Sequence, residues 1–263
     1  MVDQFYARKL QAAAFVRKSR LIVGLDLVAD MGGKNKKEQL AEIGRIEQEA
    51  LKIIADTSEH AVAFKFNRQL VLPLGVFDRI PILIDAIHDR GLTAIMDCKI
   101  NDIGNTNAHI ARYYFDAGFD ALITNPFVGW EGGLDSVFDL ARRRQRGVIT
   151  LCYMSHPAAD EGYGLEVAVD KKTRTPVWAA FAQRAQRWGA DGVIVGATYP
   201  HRIQEVSKIL GTEIPIISPG IGSQGGKARE AIDAGASYVI AARSVVNAED
   251  PGAAAAAIAA DTK

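Results

Sequence analysis

Eight short apolar runs recur along this chain, and no other feature of the sequence limits its fold so tightly. They cover Leu21–Leu27, Ala61–Phe66, Thr93–Lys99, Ala121–Thr124, Val148–Met154, Gly192–Ala197, Ile214–Ser218 and Tyr238–Ala242. Each is nearly continuous in its apolar residues, the pattern of a strand buried on both faces of a parallel sheet. Segments with helical spacing lie between them, among them Lys37–Asp56, Phe77–Arg90, Asn105–Ala117, Pro176–Trp188 and Gly226–Ala234. Four of these stop at a glycine just ahead of the next strand (Gly91, Gly118, Gly189 and Gly235), where a left-handed residue ends a helix. Eight such units in 263 residues fit a closed (β/α)8 TIM barrel, with an open doubly wound sheet as the alternative. The expected organisation is a single domain over residues 1–263. It has an N-terminal helix at about 5–18, a long loop after the fifth strand at about 156–175, and a closing helix at Pro251–Ala260.

Composition narrows the partners. The 31 basic and 31 acidic residues cancel, so no global field draws nucleic acid or an anionic membrane, and an anionic ligand must be held by a local site. Cys98 and Cys152 both fall in strands and are expected as core residues of a protein from a reducing compartment. The N-terminal stretch lacks the apolar core of a signal peptide, and no apolar run reaches transmembrane length. A cytoplasmic location is the expectation. The histidines show no metal-binding spacing, and His60, His88 and His109 read as solvated helical residues. The run Arg142–Arg146 reads as a solvated helix end whose charge complements the helix dipole.

In a barrel of this kind, chemistry collects where the strands end. Charge collects there in this sequence. The third apolar run ends in Asp97 and Lys99, two apart and so on one face of a strand, and Asp102 follows at the turn into the next helix. Burying an ammonium beside carboxylates is expensive and a fold does not require it. Asp26 ends the first strand, Lys65 the second, and Ser155 follows the fifth. The seventh leads into Pro219-Gly220-Ile221-Gly222 and the eighth into Ala242-Arg243-Ser244.

Gly220-Ile-Gly-Ser-Gln-Gly225 formally matches a dinucleotide fingerprint, but it lies in the seventh unit, and no acidic residue ends a strand about twenty positions later. Gly226-Lys227-Ala228 is no Walker A loop either, since Ala228 stands at the Ser/Thr position. The better reading is a phosphate site built from the loops after strands seven and eight, with backbone N–H groups and a bidentate contact from Arg243.

These motifs resemble the orotidine 5′-phosphate decarboxylase family, and the resemblance covers nearly the whole chain. Asp97-Cys-Lys99-Ile-Asn-Asp102-Ile103-Gly-Asn-Thr106 matches the family's D-x-K-x-x-D-I-x-x-T. Gly24-Leu-Asp26, Lys65, Met154-Ser155-His156-Pro157, Ser218 to Gly226 and Ala242-Arg243-Ser244 match in the same order. The resemblance implies a homodimeric (β/α)8 barrel that decarboxylates orotidine 5′-phosphate without metal or cofactor. By that resemblance Lys99 is the proton donor. Asp97 lies by the substrate carboxylate, either repelling it or organising the lysines. Asp26 and Lys65 bind the ribose and complete an alternating carboxylate–ammonium row. Asp102 and Thr106 reach into the partner's site. Ser155 reads the pyrimidine edge, Gln224 bridges towards the phosphate, and Pro219, Gly220, Ala242 and Arg243 complete the binding set. The segment Gly222 to Gly226 would give its loop the mobility to close.

Three features depart from the pattern or fall outside it. Tyr199 stands where arginine is common, a change expected to be peripheral. The loop at about 156–175, with its charged stretch Asp170 to Arg174, could cap the base or be a surface insertion. The fourth connection, Asn125 to Gly133, could shape the rim, with no role apparent for Trp130. Two rival readings stand. Related barrels acting as metal-dependent 3-keto-gulonate 6-phosphate decarboxylase or hexulose-phosphate synthase share a D-x-K-x-x-D core but continue it with Ala-Gly, where this chain has Ile103 and Thr106. A catalytically silent phosphate-binding barrel is the other.

Overall fold

The computed structural model describes residues 4–169 and 172–263, so Asp170 and Lys171 of the long loop lie outside the described residues. Eight parallel strands close a barrel: β1 (Leu21–Leu25), β2 (Ala61–Asn67), β3 (Thr93–Ile100), β4 (Ala121–Thr124), β5 (Gly147–Tyr153), β6 (Gly192–Val195), β7 (Ile216–Pro219) and β8 (Tyr238–Ala241). Each pairs with its sequence neighbour, and β8 pairs with β1 through Ile22 and Ile240. The open doubly wound sheet is therefore ruled out. Side chains alternate between two environments. Ile22, Ala63, Ile95, Ile149, Ile217 and Ile240 fill the barrel, while Leu21, Val23, Phe64 and Phe66 face the surrounding helices. Both Cys98 and Cys152 are buried thiols.

The expected helices form, with local exceptions. Asn35 and Glu38 make a reciprocal capping box that starts Lys36–Thr57. The four stop glycines all have positive φ, from 70° at Gly91 to 111° at Gly235. The helix expected at Phe77–Arg90 runs over Ile80–His88, its first residues belonging instead to a wide turn at Gly75–Arg79 that follows a further short helix, Arg68–Leu74. Gly75, at φ 75°, ends the first piece, and Pro81 begins the last without needing an N–H partner. The long loop holds a short helix, Ala159–Tyr163, and an antiparallel pair, Glu166–Ala168 with Arg174–Pro176, that runs into Val177–Trp188. Trp130 stacks 5.2 Å from Phe138 and 5.3 Å from Trp188, which is a packing role.

The N-terminal helix, Phe5–Arg17, closes one end of the barrel. Tyr6 and Leu10 enter the interior, and only a glycine at 147 admits Tyr6, since a Cβ there would lie 2.4 Å from the tyrosine's Cβ. The Asp191 carboxylate accepts hydrogen bonds from the Tyr6 and Ala7 N–H groups with one oxygen and from Val148 with the other. Beside it, buried Asp120 gathers charges expected to be solvated. One of its oxygens pairs with Arg146 (2.6 Å) and Lys9 (3.4 Å), and the other meets His88 (2.8 Å) and the Ala94 N–H (3.0 Å). His88, although exposed, is thus tied to a buried carboxylate. The basic run is no free helix end either, because Arg142 donates to the Trp188 carbonyl and Arg144 pairs with Asp116. With this end sealed, a ligand can enter only where the strands end.

Candidate active site

At that open end lies a cavity with an apolar floor and three polar walls. Ile123, Leu151, Ile194 and Ile240 make the floor. Asp26, Lys65, Asn67, Asp97 and Lys99, from the ends of β1, β2 and β3, make the first wall. Met154 and Ser155 follow β5, Pro219 ends β7 with Gly220 and Gln224 after it, and Ala242 and Arg243 follow β8. All the residues that sequence placed at this rim are brought together, apart from Asp102 and Thr106. Those two line no part of their own cavity, and Asp102 is exposed.

The β3 end is unusual in its backbone. Its ladder with β4 slips between Met96 and Ile100, and Lys99 has φ 47°, a left-handed conformation that a lysine seldom adopts. Asp97 sits between two ammonium groups, with Lys99 at 2.6 Å from one oxygen and Lys65 at 3.1 Å from the other. Burial pushes the Asp97 carboxyl up, but the charges and hydrogen bonds of Lys65 and Lys99 outweigh it and hold the group below its ordinary value. The lysine and carboxylate side chains are 6% and 12% exposed for Lys65 and Asp97, against 28% for Lys99. Lys99 is therefore the ammonium of the pair that is open to a ligand.

The expected alternating row is broken at one place. Lys65 donates to the Asn67 side-chain oxygen, and the Asn67 amide donates to Asp26, which Gln69 also reaches at 2.9 Å. An amide thus separates Asp26 from Lys65. Asn67 and Gln69 escaped the sequence reading because neutral amides at a strand end carry no charge signal. The Gly24-Leu-Asp26 motif has a local reason: a Cβ at Gly24 would lie 2.8 Å from the Ala242 Cβ, so glycine lets the ends of β1 and β8 meet.

On the opposite wall, Gly220 (φ 105°), Gly222 (φ 76°) and Gly225 (φ 91°) need the freedom of glycine. The loop is folded on itself, with Gly226 donating to the Gly220 carbonyl, Gly222 to Gly226, and Ser244 Oγ to the Ile221 carbonyl. A Cβ at Gly220 would lie 2.7 Å from Gln224 Oε1 and 3.3 Å from Ser155 Cβ, so serine and glutamine flank this glycine. Arg243 is exposed and begins a short helix whose first turn has no side-chain cap. Among the described residues its guanidinium has no hydrogen-bond or ion-pair partner. An unpaired guanidinium next to uncapped N–H groups is suited to bind an anion. No described residue at or beyond 156 in the long loop lines the cavity. Among the described residues, no group of three or more His, Cys, Asp or Glu is placed to hold a metal ion. No helix among the described residues is long and apolar enough to cross a membrane.

Comparison with known proteins agrees with this geometry. Residues 19–258 match the family model described as orotidine 5′-phosphate decarboxylase / HUMPS. Orotidine 5′-phosphate decarboxylase of Methanosarcina barkeri is 38% identical over 216 residues, 81% of this chain and 89% of that protein. The crystal structure of orotidine 5′-phosphate decarboxylase from Pyrococcus horikoshii superposes with a TM-score of 0.71 at 32% identity, covering 92% of this chain and 98% of the other. The enzyme from Methanocaldococcus jannaschii, solved with the inhibitor BMP, gives 0.75 at 27% identity, covering 93% and 99%.

Proposed function

The chain belongs to the orotidine 5′-phosphate decarboxylase / HUMPS family, and on that footing we propose that it removes CO2 from C6 of orotidine 5′-phosphate and leaves UMP, a step of pyrimidine biosynthesis. The observation that carries this reading is the Lys65–Asp97–Lys99 triplet facing, across one cavity, the unpaired Arg243.

Breaking the C6–carboxylate bond leaves its electron pair on a ring carbon that no adjacent carbonyl delocalises. A fixed ammonium stabilises that charge and then neutralises it. Lys99 transfers a proton from Nζ to C6 as neutral CO2 departs. Asp97 keeps Lys99 oriented and, as a carboxylate beside the substrate's own, loses a repulsive neighbour when CO2 leaves. Its depressed pKa keeps it ionised throughout the neutral range. Asp26, Asn67 and Lys65 take the ribose hydroxyls. Ser155 reads the pyrimidine edge, and Gln224 bridges towards the phosphate beside Pro219, Gly220 and Ala242. Arg243 binds the phosphate, whose remote binding energy serves the reaction at C6.

Asp102 and Thr106 act in a homodimer, each reaching the partner's cavity. Three features support this: their absence from their own cavity, the exposure of Asp102, and the apolar residues exposed along the helix Gly104–Asp116 that follows β3. Ile103 is 68% exposed, and Phe77, packed edge-on against Tyr113, is 60% exposed. The reaction needs no metal or cofactor and the protein works in the cytoplasm without a nucleic-acid or membrane partner.

Loss of orotidylate absorbance, followed with purified EDTA-treated protein, tests the reading. Turnover with UMP as product is expected. Turnover only after a divalent metal is restored, or binding with no turnover, would overturn it.

A further inference from the structure

Thr198 and Tyr199 do not line the cavity, yet each holds the segment that carries Ser155. After β6 the chain turns sharply through Gly196–Tyr199. The Gly196 N–H donates to the Tyr153 carbonyl (2.9 Å), the Ala197 N–H to Pro219 (2.8 Å), and the Tyr199 N–H back to Gly196 (3.1 Å). The turn is thereby tied to the ends of β5 and β7 on either side of it. From this fixed base, Thr198 Oγ1 donates to the Ser155 carbonyl (3.0 Å) and the Tyr199 hydroxyl to the His156 carbonyl (2.9 Å). Two successive side chains thus hold two successive carbonyls.

The fit is close as well as bonded. A Cβ at Gly196 would lie 2.6 Å from Ser155 Cα, so the turn presses directly on the serine backbone. Gly220 bounds Ser155 from the β7 loop, as described above. Tyr199 is itself braced, its ring edge-on to Tyr153 with centroids 5.1 Å apart. Tyr153 in turn carries the Arg202 guanidinium 5.0 Å above its ring and donates to Asp160 at 3.2 Å. Burial does not do this work, because His156, Pro157 and Ala158 are exposed and lead into the long loop.

We propose that Thr198 and Tyr199 are positioning residues for Ser155, acting on the substrate only through the backbone of Ser155 and His156. The proposal rests on the decarboxylase reading, and specifically on the contact of Ser155 with the pyrimidine. A hydroxyl that must meet a ring edge at hydrogen-bond distance tolerates little displacement, and the two anchors remove the freedom that the exposed segment has. It also gives Tyr199 a role that its departure from the family pattern does not suggest.

A double-mutant cycle reads this directly. Thr198→Val removes the hydroxyl at constant shape, and Tyr199→Phe keeps the ring on Tyr153. Each should lower kcat/KM for orotidine 5′-phosphate roughly 3- to 10-fold, the scale of one neutral hydrogen bond, with little change in melting temperature. Thr198→Ser should retain wild-type values. In a Ser155→Ala background, neither substitution should cost anything further, because nothing is left to position. Losses that multiply with that of Ser155→Ala, or wild-type kcat/KM in both single variants, would overturn the proposal. Inactive wild-type protein would instead overturn the decarboxylase reading. Active wild-type protein with a silent Ser155→Ala would remove the base contact, and the positioning role with it.

Discussion

Lys99 is held in a backbone conformation that costs a lysine roughly 1–3 kcal/mol, at the place where the β3 ladder slips. Strain of this kind persists only where the surroundings fix it, and the surroundings here are the carboxylate of Asp97 and, beyond it, Lys65. Asp97 and Lys99 were legible in the sequence because charge at the end of an apolar run is costly. Asn67, Gln69, Thr198 and Tyr199 were not, since their polarity is ordinary in loops and only the fold gives them partners. Arg243 provides a test at this scale. Its guanidinium is unpaired and stands far from the reacting carbon in the proposed pose. Arg243→Ala should therefore lower kcat/KM for the phosphorylated substrate roughly 10- to 100-fold, as for a lost charge-assisted contact, and leave that for unphosphorylated orotidine nearly unchanged. Added guanidinium should restore part of the loss. Equal damage to both substrates would place Arg243 outside the phosphate site.

The strands matched their sequence positions to within two residues because runs buried on both faces leave little doubt about where they lie. Helices were less regular, and the later start of the Ile80–His88 helix follows from a wide turn after Gly75, whose backbone freedom periodicity does not register. The N-terminal helix was visible as a helix but not as the plug of the barrel. Its docking depends on Asp191 and Asp120, which meet it from the residues just ahead of β6 and β4, more than a hundred positions away. Asp120→Ala should destabilise the protein by roughly 3 kcal/mol, at the low end for a broken buried pair because its cationic partners are partly exposed. Turnover at 25 °C should persist, since this end of the barrel is remote from the cavity. Burial raises the Asp120 pKa, but His88, the Ala94 N–H and Arg146 outweigh it and the carboxyl is held below its ordinary value. Its contribution is therefore present above the unfolded carboxyl pKa and lost as pH falls through the folded one. The difference in melting temperature from wild type should persist from neutral pH to about pH 5 and close only below about pH 4. A constant difference down to pH 3, or turnover lost at 25 °C in folded protein, would contradict this account.

At the scale of the whole molecule, the claim at issue is that one cavity needs residues from two subunits. Mixing two inactive variants tests it. In a mixed dimer of Lys99→Ala and Asp102→Ala, one site carries both defects and the other neither. Random exchange makes about half of the dimers mixed, each with one intact site, so activity should approach roughly a quarter of wild type. If no activity returns despite demonstrated exchange, Asp102 acts within its own subunit. The family and the barrel were readable from sequence at this scale, whereas the assembly was implied only by resemblance, because an interface leaves no mark in one chain beyond exposed apolar residues. The most direct test of the decarboxylase account compares wild-type protein with Lys99→Ala for conversion of orotidine 5′-phosphate to UMP in the presence of EDTA. The account predicts rapid conversion by the wild type and none by a Lys99→Ala protein that still melts cooperatively and binds UMP. A wild type that binds without converting, or a Lys99→Ala variant that converts at near wild-type rate, would contradict it.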